Sequence, residues 1–333
     1  MTELPAPHLL FLGDVTSPLD AKTAMGLRDW RPDRCIGQYC LPGCGVDLGL
    51  PEMDFSAAAT AGAHSVVIGV APSGGALKAE WVSALGEALH AGLSVVSGLH
   101  RKLSEEPALV KAAAASGQQL IDVRVPPLSI PIASGRQRSG KRLLMVGTDC
   151  CVGKKYSALA LHKAMKARGV AATFRATGQT GMLIAGGGIP MDAVVSDFLS
   201  GAAEMLTPDA APDHWDVIEG QGSLFHPAYA AVTLGLLHGS QPDAMVLCHA
   251  VGRAVIDEYE DYPVPDLRDC IAQYEQAARV TNVQARVVGI SLNTRGCDEA
   301  GALSACDEIS SLTGVPCSDP LRHALDPILD ALP

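Results

Sequence analysis

In the first part of the chain, short unbroken apolar runs alternate with stretches whose apolar residues recur every three or four positions. Unbroken runs fit strands buried on both faces, and the wider spacing fits helices with one buried stripe. HLLFLGD (8–14), RCIGQYC (34–40), HSVVIG (64–69), LSVVSGLH (93–100) and QLIDVRV (119–125) read as strands. AKTAMGLRDW (21–30), KAEWVSALGEALHAG (78–92) and PALVKAAAASG (107–117) read as helices, the last two closed by Gly92 and Gly117. The third strand runs into a glycine turn, GVAPSGG (69–75). Alternating units of this length predict an α/β fold with a parallel sheet covered on both faces by helices.

The pattern breaks at PPLSIPIASGRQRSGKR (126–142), where Pro, Ser, Gly and basic residues accumulate and a linker is expected. The resulting division is a first domain over 1–130, a linker over 131–141 and a second domain over 142–333. The second domain repeats the alternation. Its expected elements include DVIEGQGS (216–223), AMVLCHA (244–250), a helix near 266–281, ARVVGISLN (285–293) and a terminal helix–strand–helix.

That domain opens with LLMVGTDCCVGKKYSALALHKAMKARG (143–169). Leu143–Val146 reads as a buried strand, Gly147–Gly153 as a loop and Ser157–Arg168 as the following helix. Successive backbone N–H groups in such a loop point inward at phosphate oxygens, and the helix N-terminus adds partial positive charge. The candidate ligand-binding set is Gly147, Thr148, Asp149, Cys150, Cys151, Val152, Gly153, Lys154, Lys155 and Tyr156, with Lys154 reaching a terminal phosphate. A magnesium-nucleotide loop places Ser or Thr after the lysine to bind the metal. Here that position is Lys155, which cannot ligate a metal but can neutralise phosphate directly. Ser157 lies too far along to replace the hydroxyl.

GTDCCVGK closely resembles the GTDTxVGKT loop of dethiobiotin synthetase and its relatives, which bind ATP and phosphorylate a carboxy-type substrate. The resemblance implies a magnesium-binding Glu at a strand end, matched by Glu219 in DVIEGQG, and an adenine-binding Asn, matched by Asn293 in GISLN. Two ligands then stand open. One is ATP with magnesium. The other is coenzyme A, an adenine nucleotide whose phosphates need no metal and suit the pair Lys154 and Lys155.

Other residues supply candidate chemistry. RATGQTGMLIAGGGIPMDAVVSDFLSGAAE (175–204) predicts a strand ending at Arg175, a polar turn over 177–181 and a helix carrying Asp192 and Asp197. Gln179, Thr180 and Gly181 would offer donors to a substrate. EGQGSLFHPAY (219–229) brings Glu219 and His226 close in sequence just after a strand, where ligands gather in α/β sheets. Either can accept a proton from an attacking amine. A G-x-S-x-G elbow is missing. Arg175 and Arg253, near strand ends, are candidate partners for a substrate carboxylate.

Composition narrows the classes. The 333 residues are long for one core, and 48% hydrophobic with 18% charged residues fits folded α/β domains. A net charge of −11 argues against nucleic acid and anionic membrane as partners. No apolar stretch is long enough to span a bilayer, and the N-terminus lacks a basic signal region, so a cytoplasmic location is expected. Ten cysteines then mean reduced thiols. Cys35, Cys40 and Cys44 lack a CxxC pair and a fourth ligand, so no metal site is expected. GDVTSPLDAKTAMG lacks G-x-G-x-x-G spacing, leaving a nicotinamide site unsupported. An Ala- and Gly-rich α/β chain of this length suggests a homodimer or higher homo-oligomer.

The ordered series GDV, AKTAMGLRDW, IGVAPSGG, VVSGLH, DVRVPP, VGTDCCVGKKYSALAL, GQTGMLIAGGGIPMDAVVSDFLSGAAE and EGQGSLFHPAYAAVTLGLLHGSQPDAMVLCHAVGR covers most of the chain. It resembles a family long labelled a domain of unknown function, some members of which are D-glutamate N-acetyltransferases. The resemblance implies an N-terminal Rossmann-like domain, a C-terminal P-loop NTPase-like domain and acetyl transfer from acetyl-CoA to the amino group of a D-amino acid, most simply D-glutamate. The expected mechanism is direct attack. The loop with Lys154 and Lys155 anchors the coenzyme phosphates, Asn293 meets the adenine, Glu219 or His226 takes the proton, and backbone donors near Gln179–Gly181 hold the oxyanion. No nucleophilic cysteine is required. The alternatives are an ATP- and magnesium-dependent kinase or ligase and a nucleotide-binding regulator without turnover.

Overall fold

A computed structural model describes residues 4–18, 20–70 and 77–333. Of the glycine turn expected over 69–75, residues 71–75 lie outside the described residues. The chain divides into two compact units, one formed by Met1–Val125 with Gln179–Pro190, the other by Pro126–Gly178 with Met191–Pro333.

The first unit contains β1 (His8–Gly13), α1 (Lys22–Trp30), β2 (Cys35–Cys40), α2 (Phe55–Thr60), β3 (Ser65–Ile68), α3 (Ala79–His90), β4 (Ser94–Ser97), α4 (Pro107–Ser116) and β5 (Leu120–Asp122). Its strands form one parallel sheet in the order β2-β1-β3-β4-β5. The apolar runs are its core: Leu9, Leu10, Phe11 and Leu12 of β1 have no exposed surface. Gly117 ends α4 in the left-handed region at φ 72°, as its position in the sequence predicts.

In the second unit β6 (Lys141–Gly147), α5 (Lys154–Ala167) and β7 (Ala172–Arg175) come first. The chain then contributes α6 (Gln179–Ala185) and the residues to Pro190 to the first unit, where Thr180 Oγ1 lies 3.0 Å from Thr23 Oγ1 of α1. It continues in the second unit with α7 (Leu199–Leu206), β8 (Trp215–Ile218), α8 (Ala230–Ser240), β9 (Ala244–Ala250), β10 (Val255–Ile256), β11 (Tyr259–Pro263), α9 (Leu267–Ala278), β12 (Arg286–Asn293), α10 (Glu299–Thr313), β13 (Cys317–Ser318) and α11 (Asp326–Asp330). The larger sheet is parallel, in the order β13-β12-β9-β6-β8-β7. β6 therefore runs between β9 and β8, and the carboxyl ends of all three open onto one edge. Among the described residues no helix is long and apolar enough to cross a membrane.

Three local expectations change. The predicted turn over 177–181 is shorter, because Gln179 already begins α6 and buries Met182, Leu183 and Ile184. Asp192 and Asp197 do not share a helix. They sit in separate single 3₁₀ turns, Met191–Ala193 and Ser196–Phe198, divided where Val195 adopts an extended backbone. The helix expected from Ser157 starts earlier, at Lys154. The segment 131–141 forms no helix and only its last residue is in a strand, yet it is tied down. The backbone N–H groups of Ser134 and Gly135 donate to Glu204 at 2.8 Å, and Arg138 donates to the Gly239 carbonyl at 2.7 Å.

One glycine fixes how closely β6 and the end of β8 approach. A Cβ at Gly220 would overlap the Met145 carbonyl oxygen and stand 3.0 Å from Cδ of Lys154. Neither neighbour can give way without moving the strand or the loop lysine. Gly220→Ala is expected to lower unfolding stability by ~1–3 kcal/mol, read as a lower urea midpoint. An unchanged midpoint would show that this approach is not tight.

Candidate active site

The loop leaves the end of β6 and folds back over its own first residue. A Cβ at Gly147 would meet the Asp149 carbonyl, Lys154 Nζ and a Val152 methyl at 3.1 Å each, so a side chain here would crowd all three by a few tenths of an ångström. Cys151 takes φ 56° and Gly153 φ 109°, left-handed conformations that turn the chain sharply into α5. The N-terminus of that helix adds partial positive charge, which favours an anion. Lys154 is buried and donates from Nζ to the Asp149 carbonyl at 2.7 Å, which holds the loop curled. Tyr274 of α9 pins the strand–loop junction. Its hydroxyl donates to the Gly147 carbonyl at 2.7 Å and accepts from the Leu224 N–H at 3.1 Å.

Asp149 is fully buried and its carboxylate carries three contacts. Oδ1 accepts from the Cys150 N–H at 2.6 Å, and Oδ2 accepts from Arg253 at 3.2 Å and from the Asp257 N–H at 2.8 Å. Arg253 also pairs with Asp257 at 2.8 Å. The loop is thereby tied to the segment that leads into β10 and β11. Arg253, expected to meet a substrate carboxylate, already serves two aspartates, and Arg175 likewise donates to Asp216 at 2.7 Å.

Glu219 stands just past the end of β8, almost wholly buried. Its Oε2 accepts from the N–H groups of Thr177 and Gly178 at 3.0 and 3.1 Å. Burial raises its carboxyl above the ordinary value of 4.5, against the opposing pull of those N–H groups and the Lys155 charge. Lys155 stacks its ammonium 5.1 Å from the Tyr156 ring. Ser157 Oγ donates to the Gly153 carbonyl at 3.0 Å and lies 2.8 Å from Ser291 Oγ.

His226 is buried between the rings of Tyr229 and Tyr259. Its Nδ1 accepts from the Ala228 N–H at 3.2 Å, so in the neutral ring the proton sits on Nε2. That tautomer donates; it accepts a proton only by giving up the Ala228 bond. The ligand atoms of Asp149, Cys150 and His226 lie within 4.8 Å of one another. They do not fit a metal centre well. The carboxylate is committed to three donors, one of them a guanidinium, and burial pushes the Cys150 thiol up to about 11. Asn293 ends β12, half-buried, with Oδ1 accepting from the Arg295 N–H at 3.0 Å. Gln179, Thr180 and Gly181 belong to the first unit, in the first turn of α6.

Known proteins of the same build account for both halves of the chain. Residues 39–126 match the Rossmann-like domain of the domain-of-unknown-function family DUF1611, and residues 131–329 match its P-loop domain. A protein of Tritonibacter scottomollicae named D-glutamate N-acetyltransferase is 51% identical over 326 residues, 98% of each chain. A protein of the same name from a Pseudoalteromonas species is 46% identical over 327 residues, again 98% of each. The crystal structure of a DUF1611 family protein from Anabaena variabilis superposes with a TM-score of 0.90 at 36% identity, covering 98% of this chain and 99% of that one. The chain belongs to the DUF1611 family.

Within the DUF1611 P-loop domain the structure adds two residues that the sequence did not single out. Tyr274, inside a helix, carries no motif; its one signal is the scarcity of tyrosines in the chain, six in all. His249, at the end of β9, has Nδ1 2.9 Å from Thr148 Oγ1 of the loop. It stands in CHAVGR, beside an arginine that drew attention first.

The buried Glu219 sets a pH dependence. A carboxyl whose folded value lies above its unfolded one binds its proton more tightly in the folded state. Its contribution to stability is therefore greatest below 4.5 and declines as pH rises through the window above that value. Glu219→Gln is expected to gain stability relative to the wild type as urea titrations move from pH 4.5 to pH 7. A difference that stays constant with pH would contradict burial as the dominant influence on this carboxyl.

Proposed function

We propose that this chain transfers an acetyl group from acetyl-CoA to the amino group of D-glutamate. The observation that carries the reading is full-length identity of 46–51% to two proteins named D-glutamate N-acetyltransferase. The loop supports the choice of donor. Lys154 and Lys155 head α5 in succession, so an ammonium stands where a magnesium-nucleotide site needs a hydroxyl. Coenzyme A presents phosphates that two ammonium groups and a row of N–H donors neutralise without a divalent ion.

The acceptor must lose a proton before its nitrogen attacks. Glu219 is the group this reading assigns to that task. Its basicity is raised by burial, and Oε2 is fixed by two N–H groups, which leaves Oε1 as the oxygen that takes the proton. The nitrogen then attacks the thioester carbonyl carbon directly. Asn293 is assigned to the adenine. Arg175 and Arg253 are assigned to the carboxylates of the acceptor, in addition to the aspartates they already hold.

The likeness of the loop to that of dethiobiotin synthetase defines the rival, an ATP-dependent kinase or ligase, and magnesium separates the two. Acetyl transfer from acetyl-CoA is expected to proceed unchanged in the presence of a chelator, with N-acetyl-D-glutamate detected by mass spectrometry. Metal-dependent ATP consumption in its place would overturn the reading. Lys154→Ala is expected to weaken coenzyme A binding by ~1.5–3 kcal/mol, the value of a charge-assisted contact, in a calorimetric titration. Unchanged affinity would remove the loop as the phosphate site.

A further inference from the structure

Two strand ends flank the loop strand β6: β8, which leads into Glu219, and β9, which carries His249 as its penultimate residue. The Thr148 side chain has no exposed surface, and its hydroxyl has His249 Nδ1 as hydrogen-bond partner. A buried hydroxyl that failed to donate would leave an unmet donor, at a cost of ~1–3 kcal/mol. The hydroxyl proton therefore goes to Nδ1, and the ring's own proton sits on Nε2. Nε2 makes no hydrogen bond with any described residue, and the residue is only half-buried. Burial, and then the neighbouring Arg253 charge, lower the ring's proton affinity and favour its neutral form.

We infer that His249 is a catalytic residue whose Nε2–H holds the oxyanion formed on the acetyl carbonyl. The inference rests on the acetyl-transfer reading above. In the step it serves, the substrate ammonium loses one proton to Glu219, and the freed amine nitrogen bonds to the thioester carbonyl carbon. The carbonyl electron pair moves onto oxygen, where Nε2–H meets it. The pair then re-forms the C=O bond and breaks the carbon–sulfur bond, and the departing thiolate takes the second proton from nitrogen. Glu219 returns its proton to water. Thr148 is a positioning residue in this scheme: it fixes the tautomer that lets a neutral imidazole donate. A donor so placed differs from a base in one measurable respect. Protonation of the ring leaves Nε2–H in place, so activity does not fall for that reason as the ring becomes charged.

The test is steady-state kinetics with acetyl-CoA and D-glutamate across pH, on variants whose melting curves show them folded. His249→Ala is expected to lower kcat by ~10²–10³-fold, the loss typical of one oxyanion donor, with little change in the KM for acetyl-CoA and no change in the acid limb of the pH profile. Thr148→Val is expected to lower kcat in the same direction, and Thr148→Ser to recover most of that loss. If His249→Ala fails to fold, the Thr148 pair carries the test alone. A kcat for His249→Ala within about twofold of wild type, a factor worth less than ~0.5 kcal/mol, overturns the inference. So does a loss confined to KM, or disappearance of the acid limb, which would mark His249 as a base. Wild-type enzyme that makes no N-acetyl-D-glutamate defeats the functional reading itself; wild-type turnover with indifferent variants defeats only this inference.

Discussion

A single buried carboxylate holds the candidate site in shape. Asp149 has no exposed surface, yet it accepts from Cys150, Arg253 and Asp257 and lends its backbone carbonyl to Lys154. A charge taken out of water is tolerated only when donors replace its hydration, so these contacts are obligatory together. They fasten a loop that bears Cys151 at φ 56° and brings the returning chain close over Gly147. They also place the Arg253 guanidinium beside the loop.

The sheet order then arranges the chemistry. With β6 between β8 and β9, the phosphate loop, Glu219 and His249 issue from three neighbouring strand ends on one edge. A raised carboxyl stands on one side and a neutral imidazole on the other. The second ammonium of the loop, Lys155, adds its charge on the side of Glu219. In a magnesium site a hydroxyl and a carboxylate would share an ion there. Here a second lysine of the chain itself stands at that position.

Much of this was legible in the sequence. Parallel sheets followed from unbroken runs such as Leu9–Leu12 and Val66–Ile68, because strands covered on both faces need no polar alternation. The loop was legible because its glycines and lysines have fixed geometric tasks. The early start of α5 at Lys154 was not, since Gly153 begins the helix through its backbone conformation rather than a side-chain cap. The turn at 177–181 misled for a related reason: the apolar residues that bury α6 follow its polar start. Asp192 and Asp197 looked helical by spacing, but the extended backbone at Val195 parts them. Tyr274 and His249 act through partners far along the chain, at Gly147 and Thr148, and no local pattern announces such pairs. His226 was visible as a titratable group, but its tautomer depends on an N–H two residues away that only coordinates reveal.

The most direct test of the account is a crystal structure with coenzyme A bound in the presence of a chelator. The expected result is a coenzyme phosphate group seated against the N–H groups between Gly147 and Lys155, contacted by both lysines, with no divalent ion. Coenzyme bound elsewhere with this loop empty, or a loop that fills only with a metal-chelated triphosphate, would contradict it.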